Sequence, residues 1–572
     1  MKNIKIVIGF IALIIFGACD EDFLDKRPLD KVGSVDFFKS PKDLEAYVNQ
    51  FYSFDAVTST WGSDYSTDNQ ISRDISTLLE GTNIIGNAVS PDFSQVRSIN
   101  YFLDNYKRIE ENAKLEAYQQ YLGEAYFFRA RIYFSLLSTY GAIQWYSNEV
   151  GTESEELYKP RDPRNVVADN IIADLDKAAM YLTADKTDGA SRINKWMALL
   201  LQSRVALFEG TWEKYHNGTP FGVNNPDPDK YFNKVVEATT TIMNSGLYDL
   251  YSTGKPNSDY YHLFNLRDYS SNKEVMFWRK YVPELGKGEP WHNWSKNYQM
   301  SMVDGHSVTK GMADSYLCTD GNPISGNPLF KGYTTLSDEM QNRDPRFYQS
   351  IAPPDAPWKV GDGTTQNWSE VYDRLNSGTE YHSPSGYILR KSYNENLIYH
   401  AYNVEETPGI IYRYAEVLLN FAEAKAELGT ITQNDINISI RKLRDRVGMP
   451  NLVLADITID PEWDFPDLSS TLNEIRRERR VELLAEGFRL FDLRRWAAFD
   501  EVIVGKRPKG FLASQIGKNP YPVDEDGFLD PYQNIIPNGY AFKIDRDYLN
   551  AIPKSQLELN PNLEQNPGWP QQ

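Results

Sequence analysis

Apolar positions recur at alternating spacings of four and three along several stretches of this chain, the mark of one buried helix face. From Leu122 the series runs through Tyr126, Arg129, Tyr133, Leu136 and Tyr140, with Arg129 its one polar member and Gly141 its stop. Residues 165–182 predict a second helix, with Ile171, Leu175, Ala178 and Leu182 on one face. A third begins near Ser191 and carries Met197, Leu200, Arg204 and Leu207 before Gly210. Ala415, Leu419, Ala422 and Ala426 repeat the spacing ahead of Gly429, and their small side chains allow a neighbouring helix to approach closely. Paired helices with short turns predict hairpins stacked side by side, hence a mainly α fold. Residues 251–404 read differently. They are rich in Gly, Pro, Asn and Trp, carry turn signals at Asp320-Gly321 and Pro353-Pro354, and predict a long loop-rich region.

The chain opens on a short apolar run, Ile6 to Ala18, behind Lys2 and Lys5; Cys19 closes it and Asp20, Glu21 and Asp22 follow. A bilayer span takes roughly 20 residues, so this run predicts a signal peptide over residues 1–18. A secreted chain cut just before a cysteine resembles a bacterial lipoprotein, which implies acyl chains on Cys19 and a tether over residues 19–40. The only other cysteine is Cys318. With Cys19 acylated no intramolecular disulfide forms, and Cys318, after Tyr316-Leu317, reads as a small buried hydrophobe.

A formal net charge of -19 argues against a nucleic-acid partner, which needs a basic footprint. Four carboxylates, Glu478, Glu482, Glu486 and Asp492, tempt a glycosidase reading, since helical spacing puts the three glutamates on one face and such enzymes use two carboxyls. Arg476, Arg477, Arg479, Arg480, Arg489, Arg494 and Arg495 are interleaved with them, and guanidinium neighbours favour the ionised carboxylate where a general acid needs the reverse. The segment therefore predicts an ion-pair network. The 6 His show no metal-ligand spacing, and no nucleophile elbow, phosphate loop or dinucleotide fingerprint is present. Neither catalytic residues, nor a metal, nor a cofactor are predicted.

Binding chemistry is better supported. Trp61, Asp64, Tyr65, Asp68, Asn69 and Arg73 gather a stacking face, carboxylates, an amide and a guanidinium in one short non-periodic segment. A pyranose offers an apolar face to such a ring and a rim of hydroxyls to such polar groups. Trp291, Trp294 and Tyr298 form a second cluster, and Trp358 with Trp368 a third, each readable also as packing beneath a loop. Trp145, Trp196 and Trp496 lie in helix-associated motifs and read as core.

From Ile475 to Trp496 the chain reads Ile-Arg-Arg-Glu-Arg-Arg-Val-Glu-Leu-Leu-Ala-Glu-Gly-Phe-Arg-Leu-Phe-Asp-Leu-Arg-Arg-Trp. This resembles the signature of the SusD/RagB family of outer-membrane nutrient-binding lipoproteins of Bacteroidetes. Phe23-Leu24-Asp25, Glu124-Ala125, Phe128-Arg129-Ala130, Arg343-Asp344-Pro345-Arg346, Arg413-Tyr414-Ala415-Glu416 and Gln565-Asn566-Pro567-Gly568 extend the likeness in order along the chain. The resemblance implies about four tetratricopeptide-like helix pairs, though strict consensus positions of that repeat are not visible in the sequence. It divides the mature chain into a helical region over 41–250, a loop-rich cap over 251–404 that contributes to the ligand site, and a second helical region over 405–572. It further implies a non-enzymatic lipoprotein facing the cell exterior. Such a protein captures oligosaccharides, or in some branches peptides, for a SusC-like TonB-dependent transporter.

Overall fold

The computed structural model describes residues 37–53, 63–151, 153–186, 192–289, 306–377, 383–401, 403–515 and 521–571, with side chains 374–377 left out. Eight helices carry the scaffold: α1 Gln119–Tyr140, α2 Arg164–Tyr181, α3 Lys195–Tyr215, α4 Pro228–Asn244, α5 Tyr414–Glu427, α6 Ile440–Arg446, α7 Ser470–Glu482 and α8 Arg489–Arg495. In chain order α1 pairs with α2 and α3 with α4 as stacked hairpins, the tetratricopeptide-like arrangement that the resemblance implies. Helix α2 packs between α1 and α3, α4 packs on α3, and α5 bridges α4 to α7.

Local chemistry sets the ends of these helices. Asn194 accepts hydrogen bonds from the amides of Trp196 (3.1 Å) and Met197 (3.3 Å) to cap α3, Pro228 opens α4 behind the Asp227 cap, and Ser469 caps α7. Gly141 closes α1 at φ 72°, and Gly429 lies just beyond α5 at φ 67°. Helix α3 is buried almost all round, from Trp196 to Glu213, as the central helix of such a stack must be. Helix α3 also runs past Gly210, the residue at which sequence reading ended it. A β-carbon at Gly210 would lie 2.9 Å from a ring carbon of Phe232, so the glycine is there to let α4 close on α3.

Arg129, the polar member of the α1 stripe, is buried. It grips Asp174 of α2 through two hydrogen bonds of 2.7 and 2.8 Å and reaches Asn100 at 2.8 Å, so an ion pair sits inside the first helix pair. Arg204 of α3 holds Glu416 of α5 the same way at 2.7 and 2.6 Å.

Residues 251–404 are loop-rich, with short strands fixed by distant partners. β1 (Gln70–Ile71), β3 (Ser307–Val308) and β6 (Tyr387–Ile388) form a three-stranded antiparallel sheet. β2 (Val275–Arg279) pairs with β7 (Gly409–Arg413), and β4 (Pro357–Gly361) with β5 (Thr364–Asn367). The third tryptophan cluster is core: Trp358 and Trp368 are buried with Tyr393 and Ile388, which decides that pair in favour of loop packing. Trp145, Trp196, Trp496 and Cys318 are buried as well. The C-terminal segment returns to α1, where Asn566 donates to the carbonyl of Tyr140 at 3.0 Å and accepts from Arg161 at 2.6 Å.

Candidate functional site

The early segment predicted to bind ligand is seated on the α7–α8 turn. That turn is tight, with Ala485 at φ 59° and Gly487 at φ 79°, and it aims the Ala485 amide at Asp64, which accepts it at 2.9 Å and the Asn69 amide at 3.0 Å. Asn69 in turn accepts from Arg480 at 2.8 Å. Asp68 accepts from both Nε and Nη2 of Arg489 at 2.8 Å and pairs with Arg480 at 2.8 Å. Burial pushes the Asp68 carboxyl up, but Arg480 and Arg489 outweigh it and hold it well below the usual carboxylate range. For Asp64 burial wins, and its carboxyl is raised.

The structure thus corrects the expectation that Asp64, Asp68 and Asn69 form an open hydroxyl-reading rim. Asp64 and Asn69 are 1% exposed; Asp68 and Asn69 give oxygens to Arg489 and Arg480 of the signature helices, because a carboxylate beside two guanidinium groups is best satisfied inward, while Asp64 spends one oxygen on Asn69 and the Ala485 amide and keeps the other buried without a partner. Tyr65 and Arg73 remain toward solvent, Tyr65 half-buried and Arg73 exposed. Tyr65 donates to the carbonyl of Asp74 at 2.7 Å and sets its ring edge-on to His306, centroids 5.3 Å apart. The β1–β3 pairing does this: Ile71 lies opposite Ser307, so the segment after Trp61 and the segment after Trp291, Trp294 and Tyr298 run side by side. Trp61, Trp291, Trp294, Tyr298 and Cys19 lie outside the described residues.

The carboxylate series is an ion network. Glu478 binds Arg346 (2.6 Å) and Arg444 (2.9 Å), and Glu482 binds Arg413 (2.7 Å), Arg446 (2.6 Å) and Arg346 (3.1 Å). Asp492 binds Arg479 and Arg495, and Glu486 binds Arg413 and Lys391 at 2.6 Å each. Glu486 lies in the turn beyond α7, so only Glu478 and Glu482 share the helix, yet it reaches the same cluster. Burial alone would raise Glu482; Arg446, Arg413 and Arg346 overcome it and keep the carboxyl well below its ordinary value. Removing one member would leave buried guanidinium groups uncompensated, at a cost of about 3–5 kcal/mol. A carboxylate held ionised this firmly has no proton to donate to a leaving group. No cluster of three or more His, Cys, Asp or Glu side chains suited to a metal ion occurs among the described residues.

Two concavities flank the early segment. One, of 290 Å³, is walled by Phe134, Phe208, Phe488 and Phe491 with Arg204, and touches Ser63. The other is a polar cleft of 840 Å³ between α7, the 460–465 turn, the helix Lys310–Asp314 and residues 506–509, with Asp68 on its wall. Its aromatic members are Phe330, Tyr333, Trp463, Phe465 and Tyr540, none of which the sequence reading singled out. Trp463 stands in Asp460-Pro-Glu-Trp-Asp-Phe, and like Trp61 it is a tryptophan among carboxylates in a short non-periodic segment.

Comparison with known proteins agrees with this architecture. A family model described as "SusD family" matches residues 250–569, and one described as "Starch-binding associating with outer membrane" matches residues 22–207. SusD-like protein P38 of Formosa agariphila is 24% identical over 516 residues, covering 86% of this chain and 92% of the relative. SusD-like protein P2 of the same organism is 23% identical over 594 residues, covering all of both chains. Among solved structures, a SusD-like protein of Bacteroides fragilis superposes with a TM-score of 0.71 at 23% identity, over 95% of this chain and 100% of that one. A SusD-like carbohydrate binding protein of Bacteroides fragilis gives 0.68 at 20% identity, over 92% and 100%. With more than half the chain matched by the family model, and with the signature helices placed as the core of the ion network, this chain belongs to the SusD/RagB family.

Proposed function

We propose that this protein is a cell-surface lipoprotein that captures oligosaccharides without cleaving them and passes them to a SusC-like TonB-dependent transporter in the outer membrane. The observation that carries the reading is the seating of the early segment against the cap, with Tyr65 packed on His306 and Arg73 exposed beside it. The flanks of the two aromatic clusters meet there, which supports a shared surface on which Trp61, Trp291, Trp294 and Tyr298 stack sugar rings while Tyr65 and Arg73 complete the polar rim. Asp64, Asp68 and Asn69 then hold that surface on the scaffold. The paired state of Glu478, Glu482, Glu486 and Asp492 supports binding without hydrolysis. A lipid on Cys19 supplies the membrane attachment, in keeping with the absence, among the described residues, of any helix long and apolar enough to cross a bilayer.

Calorimetry of the protein with a panel of oligosaccharides tests this. The double variant Trp61→Ala, Trp291→Ala is expected to lose roughly tenfold or more in affinity, since each buried aromatic platform is worth about 1 kcal/mol or more. Unchanged affinity for every glycan bound would remove the site, and release of new reducing ends from a polysaccharide would make the protein an enzyme. Preferential binding of peptides would keep the fold and partner and replace the ligand class.

A further inference from the structure

The smaller concavity has a composition unlike the surface beside it. Phenyl rings from three helices meet there: Phe134 of α1 lies edge-on to Phe208 of α3 at 5.5 Å, and Phe491 of α8 stacks on Phe134 at 6.4 Å and stands edge-on to Phe208 at 6.2 Å. Phe134 and Phe208 are buried, but Phe491 is 39% exposed, a large ring held at the mouth. Phe488, Leu207, Pro408, Ile410 and Ile411 extend the apolar wall. At 290 Å³ the pocket is of the size at which small-molecule sites begin, about 300 Å³. Ser63 stands on its edge, two residues before Tyr65, so the pocket adjoins the proposed capture surface.

The polar groups of this pocket are few and mostly spent. Arg413, Arg479, Glu486, Asp492 and Arg495 line the base, and each is paired inside the ion network. Thr407 donates to Glu405, and Tyr269 donates to the carbonyl of Leu263 at 2.7 Å. Ser63 and Ser392 add hydroxyls. Arg204 is the exception among the charges. It gives Nε and Nη2 to Glu416, its guanidinium lies 5.0 Å from the ring centroids of Phe488 and Tyr412, and its side chain is 25% exposed. Its Nη1 makes no hydrogen bond among the described residues, which leaves a donor held in place by the other two nitrogens.

That balance selects the kind of group. A pyranose seated here would bring a hydroxyl on most of its ring carbons and meet one free guanidinium nitrogen and two serines, leaving much of its rim buried without partners. A flat acyl group brings a single ester carbonyl and an aromatic ring, and such rings pack well edge-on or offset against phenyl groups. We propose that this pocket holds an aromatic acyl group, of the hydroxycinnamate type, esterified to the captured glycan. The ring sits among Phe134, Phe208 and Phe491, the ester carbonyl accepts from Arg204, and the sugar chain runs past Ser63 onto the Tyr65 surface. No bond is made or broken. The inference rests on the glycan-capture reading and deepens it by naming an acylated polysaccharide as the source.

Methyl ferulate, titrated into the full mature protein, is the probe of the pocket. It is expected to bind saturably in the millimolar range and to raise the melting temperature. Phe491→Ala, at the exposed mouth, and Arg204→Lys, which keeps a charge for Glu416 but withdraws Nη1, are each expected to weaken it roughly three- to tenfold, with the fold checked by circular dichroism. Absence of saturable binding, or binding indifferent to both variants, overturns the proposal. Feruloylated oligosaccharides from arabinoxylan and pectin are compared with the same samples after saponification, and the ester is expected to add roughly tenfold in affinity. Glycans that bind no better with the ester than without it overturn the proposal and leave glycan capture standing; binding of no glycan in any form overturns glycan capture itself. Displacement of methyl ferulate by a phenylalanyl tripeptide more readily than by any acylated glycan replaces the ester with a peptide side chain.

Discussion

Glu339 is fully buried, and only one of its oxygens is satisfied: Oε1 accepts from the Tyr387 hydroxyl at 2.8 Å, while Oε2 has no partner. Burial, and then the charge of Asp314, push its pKa to about 8 against the pull of Arg343, so it is protonated in the folded protein at neutral pH. The sign follows from linkage. A carboxyl raised in the folded state adds stability below its unfolded value of 4.5, and that contribution is lost as pH climbs toward about 8. Glu339→Gln, which mimics the protonated form, is therefore expected to gain melting temperature relative to the native protein between pH 5 and pH 8.5, by a few degrees in scanning fluorimetry. Equal offsets at the two pH values would contradict it. Glu482 has the opposite sign, its stabilising charge present above 4.5 and lost on acidification. Sequence reading reached the ionised state of Glu482 from the arginines beside it in the chain, yet the guanidinium groups that hold it, those of Arg446, Arg413 and Arg346, come from 36, 69 and 136 residues away. The partners of Asp68 and Asn69 stand 421 and 411 residues away, beyond any local pattern, and that distance hid their bracing role.

At the scale of elements, Gly210 sets how closely α3 and α4 pack. The imaginary β-carbon meets Phe232 at 2.9 and 3.0 Å and the β-carbon of Tyr231 at 3.1 Å, so any side chain there must push the helices apart. Gly210→Val is expected to cost about 2 kcal/mol through overpacking, read as a lower urea midpoint at unchanged slope; a rise in the midpoint would show that the interface has room. Helix positions were legible because their period depends on residues a few places apart. A mid-helix glycine and a terminating glycine look alike in sequence, since what separates them is the neighbour across the interface. The sheet that joins the early segment to the cap was illegible for the same reason: β1, β3 and β6 are two residues each and exist only through one another.

For the whole molecule, the reading of a tethered capture protein puts its weight on Cys19. Cys19→Ala is expected to abolish incorporation of labelled palmitate and move the protein out of the membrane fraction, as fractionation and intact mass would record. Persistence in that fraction with unchanged mass would mean attachment by other means. A single acyl chain binds membranes only marginally, so lasting retention calls for more than one chain on that cysteine.

The return of the C-terminal segment to α1 has a consequence in time. Asn566 meets the carbonyl of Tyr140 across 426 residues of chain, and Trp569 donates to Leu549 at 3.0 Å beside it. During synthesis the first long helix is complete hundreds of residues before the groups that close over its end exist. Contacts this remote in sequence are made late and slowly. The ribosome's order of delivery and the fold's order of closure therefore run in opposite directions, and the end of the first scaffold helix is among the last parts of the molecule to be sealed.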